Sequence, residues 1–516
     1  MLRIPKPRIR NFYVQDGVAY TEDRTIVRRL KIYSLFPFSI EPLEKYLSRF
    51  GTIEEIRWDV DKREGSVLFK EPTEAAKALY CTKHTLNGKS FLLRASRSWE
   101  QPEEEEEETG RQSAYDLPIV DDIWCKVLDY LPLDSRLHFA ASCRRFQTIY
   151  ELESQRLNHV LKMKDVCQLT DWNIRRMMRL SGKHIRRLEG GPLHPRWSLL
   201  KQFVQLLGVS CPNLSEIFLH RIPLNPDHMA YLFQNTSGLE KIVNLSLRRC
   251  QITDRHLVCL GSLTNLRTLD LEENPGLLGD TLGSLPRSLQ VLKLSGCENL
   301  EPTRLSNLSA LPLLRELRCS EIHMRTFNRN WMNEDEVAAV AADEHVYREL
   351  VKSCPMLEVL EMSVCPYMDE RHLSGLLHLR TLILRAVDLE PQPYQVDNSM
   401  LMALVEVDSL RHLEFREAGP GFVDAFGLKI ISKLKELRTL ILRNQNFKAD
   451  ELRELRKLNA LEFLDLSDSP HLSNEIIAEL TQTLGKLRRL KIKRCPLISR
   501  RLTEILKEKR WVEVDV

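Results

Sequence analysis

Between residues 239 and 260 the chain reads LEKIVNLSLRRCQITDRHLVCL, in which Ile242, Leu245, Leu247, Cys250 and Ile252 stand in the frame LxxLxLxxCxL. The frame starts at Leu214, Ile242, Leu266, Leu289, Leu314, Leu357, Leu379, Leu410, Leu437, Leu461 and Leu487, with most intervals between 22 and 28 residues. A period of that length excludes most folds. Each unit is too small to bury its own apolar face, so it gains a core only by stacking on its neighbours. The frame therefore predicts a solenoid over residues 206–516, about 11 repeats long, with one short strand and one returning helix or turn per repeat. NEIIAELTQTL, with Ile476, Ile477, Leu480 and Leu484 at helical spacing, predicts one such helix. The 43-residue interval from Leu314 to Leu357 breaks the rhythm with WMNEDEVAAVAADEHVYRELV, which reads as an inserted or extended helix.

This is the spacing of a leucine-rich repeat, and the expected shape is a horseshoe. In such a repeat the residues flanking the strand leucines face the concave side, where a protein substrate would meet them. Ser246, Arg248, Asp270, Glu272, Lys293, Arg318, Glu361, Glu414 and Arg416 alternate in sign there, whereas the last repeat offers Arg489, Lys491 and Lys493. The C-terminal end is thus a candidate for an acidic or phosphorylated target. An arginine also follows the first leucine of several repeats (Arg267, Arg315, Arg380, Arg411, Arg438, Arg488), an edge stripe read as solubilising. Cys250, Cys297, Cys365 and Cys495 share the ninth position of the frame, where a thiol satisfies backbone groups after the strand. No His joins them at ligand spacing, so no metal site is expected. Cys211-Pro212, Cys354-Pro355 and Cys495-Pro496 read as turns.

Ahead of the repeats the chain changes character twice. Over residues 24–97, LKIYSLF, IEEIRWDV, GSVLFK and SFLLRA read as strands. IEPLEKYLSRF, with Leu43, Tyr46, Leu47 and Phe50 at helical spacing, and TEAAKALYCTKHTL read as helices. The order βαββαβ predicts a ferredoxin-like α/β sandwich. Residues 98–112 contain EQPEEEEEE (100–108), an acidic run expected to be solvated linker. Through residue 98 there are nineteen Lys and Arg against twelve Asp and Glu, and the seven glutamates of the linker cancel the excess.

Residues 113–155 hold LPIVDDIWCKVLDYLPLDSRLHFAASCRRF, followed by a helical connector over 156–205. Asp121 and Asp122 suit a helix start, Ile123, Val127 and Leu131 share one face, and Pro132 ends the helix. Asp134 or Ser135 would cap a second helix carrying Leu137, Ala141 and Phe146. Two such helices cannot own a core, so a neighbouring domain or a partner must cover them.

This segment, followed by cysteine-bearing repeats such as SCPNLSEIFL and RRCQITD, resembles the F-box and leucine-rich-repeat family over residues 117–516. The resemblance implies that the F-box docks a Skp-type adaptor of a cullin-RING ubiquitin ligase, while the repeats capture the substrate. Leu117 and Pro118 match the opening Leu-Pro, Leu131 and Pro132 the mid-motif Leu-Pro, Leu137 a buried position, and Cys143 with Arg144 the closing Cys-Arg. Phe146 stands where the family carries an aromatic, and Ile123, Val127 and Leu128 complete the expected adaptor-binding set. The acidic residue expected after Leu-Pro is displaced to Asp121.

Residues 24–97 resemble an RNA-recognition motif, a fold that stacks single-stranded bases on aromatic side chains. Here Glu64 and Ser66 occupy two stacking positions and Lys31 the third. Lys31, Tyr33, Lys62 and Arg63 are the remaining RNA-binding candidates.

The expected protein is thus an α/β multidomain chain: a ferredoxin-like domain, a short helical F-box and a leucine-rich-repeat solenoid. It would be a substrate-recognition subunit rather than an enzyme, since no GxxxxGK, GxGxxG, GxSxG or HExxH motif is present and no cofactor is implied. The alternative is an RNA-binding scaffold whose repeats assemble proteins. Twelve cysteines without a CxxC pair, and an opening MLRIPKPRIR with no apolar segment behind it, lead us to expect reduced thiols in cytoplasm or nucleus and no membrane span.

Overall fold

The computed structural model describes residues 11–21, 24–81, 84–102, 119–193, 197, 199–233, 239–322, 346–364, 370–386, 396, 398–508 and 513–515. They divide into two compact units, Met1–Ile185 and Arg186–Val516. Leu117, Pro118, Cys365, most of the acidic run and residues 331–345 of the proposed inserted helix lie outside the described residues.

The first unit opens with a hairpin, β1 (Tyr13–Gln15) and β2 (Val18–Tyr20). Five antiparallel strands follow: β3 (Arg29–Ser34), β4 (Ile53–Asp59), β5 (Glu64–Phe69), β6 (His84–Leu86) and β7 (Lys89–Ala95), in the order β4-β5-β3-β7-β6. Helices α1 (Ile40–Leu47) and α2 (Pro72–Tyr80) supply the apolar layer: Leu43, Leu47, Ala75 and Leu79 cluster with Leu30, Ile32, Val67 and Leu93. Pro72 is tolerated because a first-turn N–H has no helical partner, and Glu71 and Glu74 close the start reciprocally. The helix expected through Leu86 ends at Tyr80. Beyond it, His84–Leu86 pairs with Lys89–Phe91 around Asn87-Gly88, whose φ values of 51° and 75° are those a tight hairpin turn requires.

After this sheet come α3 (Asp121–Tyr130), α4 (Leu133–Ser142), α5 (Arg144–Leu157), a short extended segment β8 (Val160–Lys162), α6 (Met163–Val166) and α7 (Asp171–Ser181). Pro132 separates α3 from α4 as its missing N–H dictates. Phe146 lies on α5, not on the second helix, because the chain breaks at the extended residue Cys143, whose Sγ accepts from the Phe146 N–H at 3.5 Å. Asp134 does not cap α4. It accepts from Asn173 Nδ2 at 2.7 Å and so ties α4 to α7. The segment has its own interior: Leu128, Leu137, Ala140, Phe146, Ile149 and Tyr150 are buried among the chain's own helices. At its centre Asn158 Nδ2 and Ser181 Oγ both donate to the Tyr150 hydroxyl, at 2.7 and 3.1 Å.

The second unit is a parallel ladder. Strands β9 (Arg187–Gly190), β10 (Glu216–His220), β11 (Asn244–Arg248), β12 (Thr268–Asp270), β13 (Val291–Lys293), β14 (Glu316–Cys319) and β15 (Val359–Ser363) each pair with the next. β16 (Thr381–Arg385), β17 (His412–Arg416), β18 (Thr439–Leu442), β19 (Phe463–Asp465), β20 (Arg489–Lys491) and β21 (Glu513–Asp515) continue it. The pairing register stacks Ile217, Leu245, Leu269, Leu292, Leu317 and their successors into one fully buried row. Each such side chain contributes about 1.5–3 kcal/mol. All eleven frame starts are buried and precede β10 to β20 one by one. The ladder is longer than the frame at both ends, because β9 falls inside the stretch read as helical connector and β21 lies past the last start. The chain is an α/β solenoid of leucine-rich type in this unit. Ile476, Ile477 and Leu480 are buried on the helix Asn474–Thr483 as their spacing requires, and Val346–Ser353 of the long interval is helical.

Candidate functional site

Parallel pairing without offset turns the residues flanking the buried leucines into rows across the sheet. Arg318 on β14 and Glu361 on β15 are direct register partners, and Arg416 stands on β17. Glu361 is 4 % exposed. Its Oε2 accepts from Arg318 Nη1 at 3.1 Å and its Oε1 from Arg416 Nη1 at 3.0 Å, while Ser320 Oγ donates to Oε1 at 3.2 Å. To reach β15 from β17, Arg416 must cross β16, and Ile383 beneath that path is 4 % exposed. Each arginine holds a second carboxylate, Arg318 that of Glu316 at 2.6 Å and Arg416 that of Glu414 at 2.9 Å. Burial alone would raise the Glu414 carboxyl, but hydrogen bonds from His412 and Arg416 overcome it and hold the group at about 2. Four of the expected substrate-facing residues, Arg318, Glu361, Glu414 and Arg416, are therefore one prearranged polar network.

The remaining candidates fall into two groups. Near β11 and β12, Ser246 Oγ donates to Asp270 at 3.1 Å, and Arg248 reaches Glu272 at 3.5 Å and Glu273 at 2.5 Å. Burial and the neighbouring Asp270 charge push the Glu272 carboxyl above its ordinary value. Lys293 is the register partner of Asp270. At the other end, Arg489 and Lys491 lie over the Phe463 ring, 5.4 and 5.8 Å from its centroid, and the Lys493 N–H donates to Ser467 Oγ at 3.2 Å. Four arginines of the stripe reach carboxylates: Arg315 reaches Glu358 at 2.7 Å, Arg438 reaches Glu462 at 3.5 Å, Arg411 reaches Glu436 at 3.7 Å and Arg380 reaches Glu358 at 3.8 Å.

The frame cysteines serve the backbone. Cys250, Cys297 and Cys495 donate to the carbonyls of Leu219, Leu271 and Leu466 at 3.6, 3.3 and 3.4 Å. Burial pushes the Cys250 thiol up to about 11 and the Cys297 thiol up to about 12. Cys211-Pro212, Cys354-Pro355 and Cys495-Pro496 each open a turn, with the residue three on donating back to the cysteine carbonyl. Among the described residues no group of His, Cys, Asp and Glu is arranged to hold a metal ion.

In the helical segment the expected adaptor set divides by burial. Leu128 and Leu137 are fully covered and Phe146 is 6 % exposed, stacked on Phe139 with centroids 4.1 Å apart and 4.8 Å from Trp124. Leu131, Val127 and Cys143 are half-buried; Ile123, Pro132 and Arg144 are exposed. α3 thus carries two apolar stripes. Trp124, Leu128 and Leu131 turn inward, while Val120, Ile123, Val127 and Tyr130, spaced three, four and three residues apart, form an outer one. Val120, Ile123 and Tyr130 are 62, 49 and 89 % exposed.

On the N-terminal sheet Lys31 is the register partner of Ser66 and Tyr33 that of Glu64. Tyr33 is exposed, but Lys31 Nζ pairs with Glu100 at 2.9 Å, Lys62 with Asp59 at 3.4 Å, and Arg63 Nη1 donates to the Leu35 carbonyl at 2.9 Å.

No family model matches the chain, and no curated protein matches it. Solved structures do. An internalin from Listeria monocytogenes is 18 % identical, covering 71 % of this chain and 94 % of its own, with a TM-score of 0.38. In the yeast complex of Rad7 and Elc1, a chain is 14 % identical, covering 76 % of this chain and 90 % of its own, with a TM-score of 0.42. The RNA-recognition motif of Nab3, described with cis elements of non-polyadenylated RNAs, is 28 % identical over 13 % of this chain and 93 % of its own, with a TM-score of 0.13. All three scores are low, and the fold rests on the strand register and buried leucines described above.

Three features escaped the sequence. Asn274 Oδ1 accepts from the N–H groups of Cys250 and Ile252 at 2.9 and 3.0 Å, and its Nδ2 donates to the Leu247 and Leu271 carbonyls at 2.9 and 2.8 Å. Gln445 does similar work near β18, accepting from the Val423 N–H at 3.1 Å and donating to the Gly419 carbonyl at 3.0 Å. Past the strands, Arg249, Glu273, Glu321, Glu417, Asp468 and Arg494 take φ values of 54° to 63°. Their charges pair along the rim, Asp468 with Arg494 and Arg385 with both Glu321 and Glu417. The signal was present in the residue that follows the strand, but its backbone conformation is set by the turn and not by its side chain.

Proposed function

We propose that this chain is a non-catalytic substrate receptor of an SCF-type ubiquitin ligase. Its helical segment docks a Skp-type adaptor, and its solenoid face holds a protein substrate. The observation that carries the reading is the second apolar stripe on α3, with Val120, Ile123 and Tyr130 exposed and Val127 half-buried beside them, outside the buried helical interior. Removing it from water is worth about 1–2 kcal/mol per side chain, enough to supply a docking site but not to fold one. Leu128, Leu137 and Phe146 support that stripe from beneath, whereas Ile123, Pro132 and Arg144 stand where an adaptor can touch them.

Mechanistically such a subunit forms no covalent bond. It raises the effective concentration of substrate lysines near an activated ubiquitin carried by the docked machinery. The Arg318–Glu361–Arg416 network suits it to a folded or extended protein surface, because its side chains are fixed before the partner arrives and lose little entropy on binding.

The test is binding of purified Skp-type adaptor to the full chain, beside Ile123→Asp and Leu137→Asp. The intact chain should bind. Ile123→Asp should stay folded and lose the adaptor, whereas Leu137→Asp should unfold the helices. An intact chain that ignores the adaptor overturns the reading.

A further inference from the structure

The acidic run begins with a residue that does not behave as solvated linker. Glu100 is 12 % exposed at its side chain, and its Oε1 receives both Lys31 Nζ of β3 at 2.9 Å and Arg144 Nη2 of α5 at 3.3 Å. Its Oε2 accepts from the Arg97 N–H at 3.1 Å. The next residue pins the segment. Gln101 Oε1 accepts from the N–H groups of Arg28 and Arg29 at 2.9 and 2.7 Å, and its Nε2 donates to the carbonyls of Arg29 and Ser96 at 3.0 and 3.1 Å. Four bonds to the backbone where β3 begins and β7 ends, from a side chain 7 % exposed, are more than a spacer needs. Arg97 Nη1 completes the strap by donating to Gln147 Oε1 of α5 at 3.1 Å.

What the strap occupies gives it meaning. Lys31 stands mid-sheet, with Ser66 of β5 and Arg94 of β7 as register partners and the exposed Tyr33 two residues along the same strand. A cation beside an exposed aromatic ring on an open sheet is chemistry that takes a phosphate and a stacked base. Glu100 fills the anion's place. Burial raises its carboxyl, but the Lys31 hydrogen bond, the Arg97 N–H and both charges outweigh this and keep it below the ordinary range, so it stays a carboxylate.

We propose that Arg97–Gln101 is an autoinhibitory latch: Glu100 occupies the cationic centre of the N-terminal sheet and excludes single-stranded RNA from it, while tying the sheet to α5. The proposal does not rest on the ubiquitin-ligase reading: Arg144 enters both, but the latch turns on Glu100 and Lys31 and on a different ligand.

The test uses the full chain and a fluorescent 12-nucleotide oligouridylate, with anisotropy read between 50 and 200 mM salt. Glu100→Gln should bind about tenfold more tightly than the unaltered chain at the lowest salt. Its log-affinity against log-salt slope should steepen by about 1.4, because Lys31 and Arg144 each gain a phosphate at about 0.7 per contact on a single strand. Glu100→Gln with Lys31→Gln should lose most of that gain and steepen the slope by only about 0.7, the share of Arg144. Arg144→Gln, which leaves the Lys31–Glu100 pair in place, should bring no gain. Thermal unfolding checks each variant, and if Glu100→Gln fails to fold, Glu100→Asp, a shorter arm with the same charge, carries the test through a smaller gain. The latch is overturned if Glu100→Gln binds no more tightly, if the double variant keeps the gain, or if Arg144→Gln gains as much.

Discussion

Replacing Glu361 by Gln removes a charge that two arginines share. A buried ion pair that loses one partner usually costs about 3–5 kcal/mol, because the other charge stays desolvated. Here the arginine side chains are 28 and 37 % exposed, and each keeps a second carboxylate, Glu316 or Glu414. Water and those partners recover part of the loss, so about 2–3 kcal/mol is expected. The decisive quantity is the coupling. In a cycle of Glu361→Gln, Arg416→Gln and the double variant, measured by urea unfolding with far-ultraviolet circular dichroism, the interaction energy should be about 1–2 kcal/mol. The more exposed pair Asp280–Arg304, run as control, should give less than about 0.5 kcal/mol. Hydrogen exchange should place the loss at β15 and its neighbours, since each repeat is stabilised by those beside it. A coupling no larger than that of the control would refute the network as a fixed element of the face.

Other consequences follow from single side chains. Asn274→Ala strands two N–H groups and two carbonyls in a site 0 % exposed, so a loss of about 3–5 kcal/mol is expected, with the Cys250 and Ile252 amides losing protection from exchange; amides that stay protected would contradict it. His84, 2 % exposed among Tyr46, Phe50 and Phe91, has its pKa lowered chiefly by burial, so it stays neutral when folded. The unfolded chain takes up a proton first. Stability of the N-terminal sheet should therefore fall as pH drops below about 6.5, and His84→Phe should flatten that slope between pH 7 and 5. Burial pushes the Cys297 and Cys319 thiols up to about 12, so in the native chain an alkylating reagent should label them far more slowly than half-buried Cys143; equal rates would refute the assignment.

The solenoid was legible because its period is a packing requirement. A leucine every few residues in the frame can be covered only by the next repeat, and all eleven starts are buried where that logic puts them. The ends were not legible. β9 and β21 lack the frame, since a terminal strand has one neighbour and needs fewer of the consensus side chains. The α2 boundary was misread although Asn87-Gly88 announced a hairpin, because apolar residues on both sides also fit a helix.

What the sequence determined by itself is the set of side chains that must leave water: the leucine rows, the face of α1, and Leu128 and Leu137. Their spacing alone requires burial. What tertiary structure decided is who buries them and which charges meet. α5 and α7 cover the helices that two-helix reasoning gave to a partner, and Arg416 passes over a whole strand to reach Glu361. Glu100, read as spacer, lands on Lys31, 69 residues away in sequence. Such pairings depend on distances between segments remote along the chain, and local pattern carries no record of those distances.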